Sequence, residues 1–536
     1  MINLQNIFFK YKQNLPYVLK NINVRIDEKE KVLIAGMNGA GKTTFSKIIS
    51  GILPKIENGM LEGEYFLYGR DTKTEKPKDL LDKIGILLQD FESQLVTSTV
   101  KEELVFYPLN KAVPYKRAFN YAKMLLERFG ILNLFERDIT ELSGGEKQKI
   151  ALLALLSSDP EIVILDEPFT DLDPLSRDEV LTFLNSEFQD KTVLLFEQSL
   201  NYFEFFTRII VLQNGEIIYD GDDPFSKREL IEKAGMLIPF IRKIFPACDV
   251  NNADIYVKEN FYFDENEYQK LIKDEKKEKE TIISVTNLKY RYEGYDSYAL
   301  DDITFDVKKE DFIVVAGSNG SGKTTLMKIL SGIIPVKNGQ IKKNMHNLKI
   351  SYVYQNPDNQ IFAETVFDEV SFILKTAKEK PDIIKSRTEK MLKDMGLFEK
   401  KDEDPFNLPK GDRQKVACAS ILVGEPDVLI MDEPTTGLDY PSLKGLMNIL
   451  QELNDRGKTI LMITHDMDVA ADYGNKMLIL DNGKTSYYGN KRGLFNDDNL
   501  IRKANLKRTE VMDLSLRLNG NILLNESEFY ACWRKK

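Results

Sequence analysis

The sequence predicts an α/β fold with a parallel sheet, and predicts it twice in one chain. Short β-rich runs such as KVLIA (31–35), IVIL (162–165), TVLLF (192–196) and IIVL (209–212) alternate with helical ones such as 43–50 and 146–156. The stretch GMNGAGKTT (36–44) recurs as GSNGSGKTT (317–325), so that 281 positions separate Lys42 from Lys323. Whatever follows the first copy follows the second in the same order.

The matches downstream are ILLQDFESQ against YVYQNPDNQ, LDEPFTDLD against MDEPTTGLD, and NGEIIYDGD against NGKTSYYGN. The tails agree as well: DPFSKRELIEKAGM resembles RGLFNDDNLIRKAN, which predicts a small helix after each core. The charged, helix-friendly segments 100–140 and 366–406 read as helical subdomains inserted between two parts of each core. The block KDEKKEKE (273–280) cannot bury an apolar face and reads as a solvated linker or an exposed helix start. The expected organisation is therefore domain 1 over 1–265, a charged linker over 266–281 and domain 2 over 282–536.

Composition narrows the function classes. The chain has 536 residues, 42% of them hydrophobic and 10% aromatic, enough to build proper cores rather than a disordered chain. Its 74 basic residues against 84 acidic give a net charge of -10, which argues against wrapping nucleic acid as the main task. Cys248, Cys418 and Cys532 are too scattered for a disulfide framework or a metal cluster, so a reducing interior is the simpler home. The amino terminus has no signal-peptide core, and the richest apolar run (150–156) falls far short of the roughly 20 residues a span requires. Work at a membrane would be done from the aqueous side.

Both GMNGAGKT (36–43) and GSNGSGKT (317–324) follow a β-rich run and open a helical one, the context that turns a glycine-rich pattern into a phosphate cradle. Gly36, Asn38, Gly39 and Gly41, with Gly317, Asn319, Gly320 and Gly322, let backbone N–H groups converge on phosphates at a positive helix end. Lys42 or Lys323 reaches the β and γ phosphates, Thr43 or Thr324 offers a hydroxyl to Mg²⁺, and Thr44 and Thr325 complete each loop. Apolar strands then end in acid pairs, IVILDE and VLIMDE. The first carboxylate, Asp166 or Asp432, is expected beside Mg²⁺ and its waters; the second, Glu167 or Glu433, can polarise an attacking water. LSGGE (142–146) opens a helix and displays Ser143, Gly144 and Gly145 at its positive end, a tip that can bind a phosphate presented by another unit.

Phosphate loop, glutamine loop, LSGG signature, acid pair, Asp loop and switch position in this order resemble the ATP-binding-cassette ATPases over nearly the whole chain. The resemblance implies two tandem cassettes, each with a RecA-like core, an antiparallel β subdomain and an inserted helical subdomain, using ATP and Mg²⁺. It also implies head-to-tail closure, with each ATP between the phosphate loop of one cassette and the signature of the other. Scored this way, the site of Lys323, Thr324, Gln355, Asp432, Glu433 and His465 with Ser143, Gly144 and Gly145 matches the family throughout, with Gln355 also a metal ligand. The site of Lys42, Thr43, Gln89, Asp166 and Glu167 would be completed by LPKGD (408–412), where proline replaces the serine and lysine the first glycine. Gln89 is the corresponding metal ligand there, and Gln198 stands where the family has histidine. Glutamine can hydrogen-bond a γ phosphate but cannot titrate. Both departures fall on one composite site, so one site is expected to hydrolyse and the other mainly to bind.

Of the two histidines, His465 is assigned by its motif, while His346 in KNMHN has none and stays structural. Tyr11 and Tyr292 each stand 31 residues before the loop lysine, where the family stacks an aromatic on adenine; Phe9 and Tyr290 compete for that role. The segments following the glutamine loops, notably QNPDNQIFAETVFDEVSF, resemble the energy-coupling-factor importers of vitamins and transition-metal ions. That implies a transmembrane coupling protein and a small substrate-capture membrane protein as partners, no nucleic acid, and a peripheral place on the cytoplasmic side of the cell membrane. The region of Gln94, Phe106, Gln360 and Phe372 would then receive the coupling helices, or Phe106 and Phe372 would be helical-subdomain core. A twin-cassette translation factor on ribosomes and a twin-cassette sugar importer are the alternatives; the first expects a long basic helical connector. Cargo is not written in these residues.

Overall fold

The computed structural model describes all residues except 77–79, 81, 143, 170–173, 246–251, 274–278, 295–296 and 337–339. Two compact units emerge, Met1–Leu172 with Ser176–Pro239, and Phe240–Lys536.

In the first unit six strands run in the order Glu216–Gly221, Arg208–Gln213, Lys31–Gly36, Thr192–Glu197, Ile162–Asp166, Ile84–Leu87. All neighbours are parallel except the edge strand Glu216–Gly221. The inner strands are apolar through their middles, with polar residues only at their ends, because both faces are covered. Side chains alternate between two cores: Leu33 and Ala35 face one, with Val163 and Leu165, while Val32 and Ile34 face the other, with Ile162 and Ile164. The first core is closed by helices Val100–Asn110, Tyr115–Arg128 and Gly144–Ser157. The second is closed by an antiparallel sheet in the order Leu19–Ile26, Ile2–Lys10, Met60–Leu67, Arg70–Asp71.

The second unit repeats the plan. Its strands run Ile350–Val353, Val428–Asp432, Thr459–Ile463, Phe312–Ala316, Lys476–Asp481, Lys484–Asn490, again with one antiparallel edge. Leu300–Lys308, Thr281–Tyr290 and Ile341–Lys343 form the antiparallel sheet, and Val366–Thr376, Pro381–Asp394 and Lys410–Leu422 the helical part. Helices Arg228–Lys233 in the first unit and Lys491–Phe495 and Asp498–Lys503 in the second stand where the matching tails predict them.

The domain boundary differs from the sequence expectation. Residues 240–245 and 252–265, assigned from sequence to the first domain, pack in the second unit. Phe240, Ile244, Val257, Phe261 and Tyr268 share a core with Val511, Leu514, Phe529 and Trp533 from the carboxy-terminal tail. Phe261–Phe263 pairs antiparallel with Trp533–Lys535, and Lys243 meets Glu526 at 2.6 Å. The charge run drew the sequence boundary too far along, because the apolar partner of 240–272 lies nearly 270 residues away and no local pattern reveals it. Of the linker block itself, 274–278 lies outside the described residues, as does Cys248. Cys418 and Cys532 are buried free thiols.

Candidate nucleotide sites

Each phosphate loop hangs between a central strand and the helix that follows it. Lys42–Ile49 begins after Gly41 at φ 100°, and Lys323–Ser331 after Gly322 at φ 97°. A side chain is barred at both glycines twice over. The backbone is left-handed, and a Cβ on Gly322 would sit 2.5 Å from the Ala299 carbonyl. Gly36, Asn38, Gly39, Gly317, Asn319 and Gly320 lie in the same two loops. The lysine ammonium folds back over its loop: Lys42 Nζ donates to Gly36 O at 2.8 Å and Met37 O at 3.3 Å, Lys323 Nζ to Gly317 O at 2.8 Å and Ser318 O at 2.9 Å.

The acid pairs stand beside these loops. Glu167 and Glu433 both adopt the left-handed region, at φ 50° and 48°. Their N–H groups remain bonded to the neighbouring strand, at Phe196 O (2.9 Å) and Ile463 O (3.1 Å). Such strain in a non-glycine residue costs on the order of 1 kcal/mol or more and persists where the surroundings over-determine it. Here it turns the second carboxylate off the strand axis and towards the loop.

Around Glu167 both carboxylate oxygens are engaged. Lys42 Nζ lies 3.1 Å from Oε1; Gln89 Nε2 and Gln198 Nε2 donate to Oε2 at 2.8 and 2.9 Å. The lysine and the carboxylate are both almost wholly buried, an ion pair whose partners cannot be removed singly without leaving a buried charge. Around Glu433 the donors are looser and of another kind: His465 Nε2 at 3.4 Å from Oε1, Gln355 Nε2 at 3.3 Å and Thr436 Oγ1 at 3.5 Å from Oε2. Burial works against the charge of Glu433, yet hydrogen bonding and charge from His465, with Lys323 and Thr436, hold its pKa below the ordinary carboxylate value.

Asp166 and Asp432 are buried, and each has one orphaned oxygen, Oδ1. Burial, reinforced by Glu167, pushes Asp166 up to about 6 against hydrogen bonds from Ser46 and Thr43. Asp432 is raised by burial too, against hydrogen bonds from Tyr352 and Thr324. An orphaned carboxylate oxygen within a hydroxyl's reach of the loop threonine fits a hard divalent cation bound largely through its waters. Thr43 with Asp166, and Thr324 with Asp432, would hold Mg²⁺; the amide oxygens of Gln89 and Gln355 are the atoms their hydrogen bonds leave for it.

Tyr11 and Tyr292 hydrogen-bond Thr44 Oγ1 (3.0 Å) and Thr325 Oγ1 (3.1 Å), which ties each ring to its phosphate loop. They are 38% and 39% exposed, while Phe9 is fully buried and packs edge-on to Tyr11. An accessible ring face therefore belongs to the tyrosines rather than to Phe9; Tyr290, half-buried, packs edge-on to Tyr292.

At the helix tips, Ser143 lies outside the described residues, Gly144 is exposed and Gly145 buried. The matching tip has Pro409 before Lys410–Leu422 with no side-chain cap, and Asp412 in its first turn is paired to Lys400 and Lys415. A carboxylate there occupies the positive end that a phosphate would use. His346 is exposed in a turn.

Gln94 and Gln360, read from sequence as part of a docking surface, brace the glutamine loop. Gln94 accepts from Leu88 N (2.8 Å) and donates to Ile86 O (3.1 Å); Gln360 accepts from Tyr354 N (3.2 Å) and donates to Ala417 O (2.6 Å). Phe106 and Phe372 are about half exposed, 47% and 48%, and so are not core. The sequence reading missed the buried Glu103 and Glu369, whose Oε2 atoms accept from Val96 N and Thr97 N, and from Phe362 N and Ala363 N. It also missed Glu197, beside Gln198, whose buried Oε1 has no partner and whose pKa burial and Glu167 push up to about 8. The internal alignment carried a signal for the last: Glu197 falls opposite Thr464.

A family model described as ABC transporter matches residues 19–170 and 300–436. An ABC transporter ATP-binding protein of Caldanaerobacter subterraneus subsp. tengcongensis is 33% identical over 570 residues, spanning 100% of this chain and 99% of that protein. Among solved structures, an archaeal ribosome recycling factor, aABCE1, is 22% identical with a TM-score of 0.61, over 92% of this chain and 91% of that one, a likeness of fold. The cbiO1 protein of Clostridium perfringens, part of the ABC transporter complex cbiONQ, is 33% identical over 42% of this chain and 95% of its own, with a TM-score of 0.37.

Proposed function

Because the chain belongs to the ABC transporter family of ATP-binding proteins and carries two ATPase cassettes in tandem, we propose that it powers a membrane importer of the energy-coupling-factor type, taking up a vitamin or metal ion. The partners are a transmembrane coupling protein and a small substrate-capture membrane protein, with this chain peripheral on the cytoplasmic side. The QNPDNQIFAETVFDEVSF segment supports the importer class. No helix among the described residues is long and apolar enough to cross a membrane, so the chain needs membrane partners to move a solute.

One observation carries the division of labour: the donors around the two glutamates differ. Glu433 is met by the His465 imidazole together with Gln355 and Thr436, and the charge of Lys323 adds to theirs. Glu167 is held by the Lys42 ammonium and the side-chain amides of Gln89 and Gln198. The second unit's loop is the hydrolytic site. Glu433 polarises the attacking water, Lys323 steadies the phosphates, and Mg²⁺ when bound offsets their charge. The first unit's loop mainly binds ATP. ATP binding then closes the cassettes and hydrolysis lets them part, and that motion is passed to the membrane proteins.

The translation-factor alternative expects a long basic connector. The described helices before the second cassette, Phe240–Ile244, Ala253–Asn260 and Glu265–Ile272, have 5, 8 and 8 residues and are packed into a core. Tagged chain should co-purify with solubilised membranes; sedimentation with ribosomes instead would overturn the importer reading.

A further inference from the structure

Asp166 and Asp432 are each gripped at Oδ2, but by donors on different elements. In the first unit the donor is Ser46 Oγ at 3.0 Å, fully buried on helix Lys42–Ile49, one turn beyond Lys42. The matching position in the second unit is Met327, equally buried and with no hydroxyl to give. There the donor is Tyr352 Oη at 2.8 Å, from strand Ile350–Val353. Tyr352 sits opposite Ile430 in the parallel ladder, two residues before Asp432 and hence on the same face, so a tyrosine is long enough to reach the carboxylate. The first unit has Ile86 at that register, opposite Ile164, which cannot donate.

We propose that Tyr352 is a positioning residue of the hydrolytic site: its hydroxyl holds Oδ2 of Asp432 and thereby keeps Oδ1 aimed at the metal position, a task Ser46 performs in the first unit. This rests on the reading of Asp432 as the carboxylate that orders the metal's water shell. A carboxylate held at one oxygen cannot rotate its other oxygen away, so the orientation is set before the metal arrives. Losing the hydroxyl leaves the charge in place but frees its rotation, and affinity for the metal–nucleotide complex falls while turnover at saturating metal changes less.

The test is Mn²⁺·ATP binding to the full chain, followed by electron paramagnetic resonance in a Glu433→Gln background that prevents turnover. The parent should show two sites. Tyr352→Phe should weaken one of them about tenfold, a typical loss for a hydrogen bond to a charged group. Ser46→Ala should weaken the other, and Met327→Ser added to Tyr352→Phe should recover part of the loss. In the otherwise unmutated chain, Tyr352→Phe should raise the Mg²⁺ requirement more than it lowers kcat. Two unchanged Mn²⁺ sites in Tyr352→Phe, with one lost in Asp432→Asn, would overturn the proposal and leave the reading of Asp432 standing. Two sites retained in Asp432→Asn would remove that reading itself. Should Met327→Ser fold poorly, Ser46→Ala with Ile86→Tyr makes the same exchange in the first unit, and failure of the tyrosine to recover binding there counts against the proposal.

Discussion

The same strand ends differently in the two cassettes. Thr459–Ile463 leads into Thr464, His465 and Asp466, and Asp466 caps the helix Met467–Tyr473 by accepting from Val469 N at 3.0 Å. Its counterpart Thr192–Glu197 leads into Gln198 and Ser199 and reaches only a short 3-10 turn, Phe203–Phe205. The histidine thus stands immediately before a capped helix, with Thr464 Oγ1 accepting from Asp466 N at 3.0 Å, whereas the glutamine rides on irregular chain beside a poorly solvated acid. One cassette has invested rigidity and a titratable group at the switch; the other has replaced both with fixed hydrogen bonds to Glu167.

That contrast is broken most directly at the glutamates. Glu433→Gln should cut ATP turnover by about 10²–10⁴-fold, the usual worth of a positioned general base. Glu167→Gln should leave turnover within about threefold; comparable losses in steady-state ATPase assays would end the asymmetry. His465→Gln, which copies the first cassette into the second, should lower turnover about tenfold or more, because an amide replaces the imidazole beside Glu433. Gln198→His should leave turnover unchanged.

Smaller effects sharpen the comparison through stability. Glu197 has a folded-state pKa of about 8, above its ordinary value of 4.5. It therefore costs nothing below pH 4.5, where it is neutral in both states. Stability is lost progressively as pH rises through 8, because unfolding lets the group ionise more readily. Glu197→Gln should match the parent near pH 4.5 and exceed it by about 1–2 kcal/mol at pH 8, discounted because the residue is only partly buried. A constant gap in thermal melts across that range would dispose of the buried-acid explanation. Asp466→Ala should cost about 1 kcal/mol, the worth of a helix cap, visible in denaturant midpoints.

Much of this was legible in the residues alone. The strands 31–35, 162–165, 192–196 and 209–212 and the helices after each loop were readable because a doubly covered strand must be apolar through its middle and a phosphate loop must be punctuated by glycine. Lys42, Thr43, Asp166 and Glu167, with their partners near Lys323, were readable because their motifs are local in sequence. The bracing role of Gln94 and Gln360 was not readable, because a polar side chain after a loop looks solvated until its carbonyl and N–H partners are known. Residues 240–245 and 252–265 were assigned to the wrong unit because their apolar face is satisfied by Phe529 and Trp533, far along the chain.

Amino-acid order by itself determined the duplicated plan, the two phosphate cradles and the uneven inventory of catalytic groups, since each depends on spacing within a few residues of one element. Only the tertiary structure decided who holds whom: that Lys42 and two glutamines saturate Glu167, that Ser46 and Tyr352 take the same hydrogen bond from different elements, and that the connector belongs to the tail. Those outcomes turn on distances between strands and helices that are remote in sequence, and a hydrogen bond of 3 Å is specified by packing rather than by pattern.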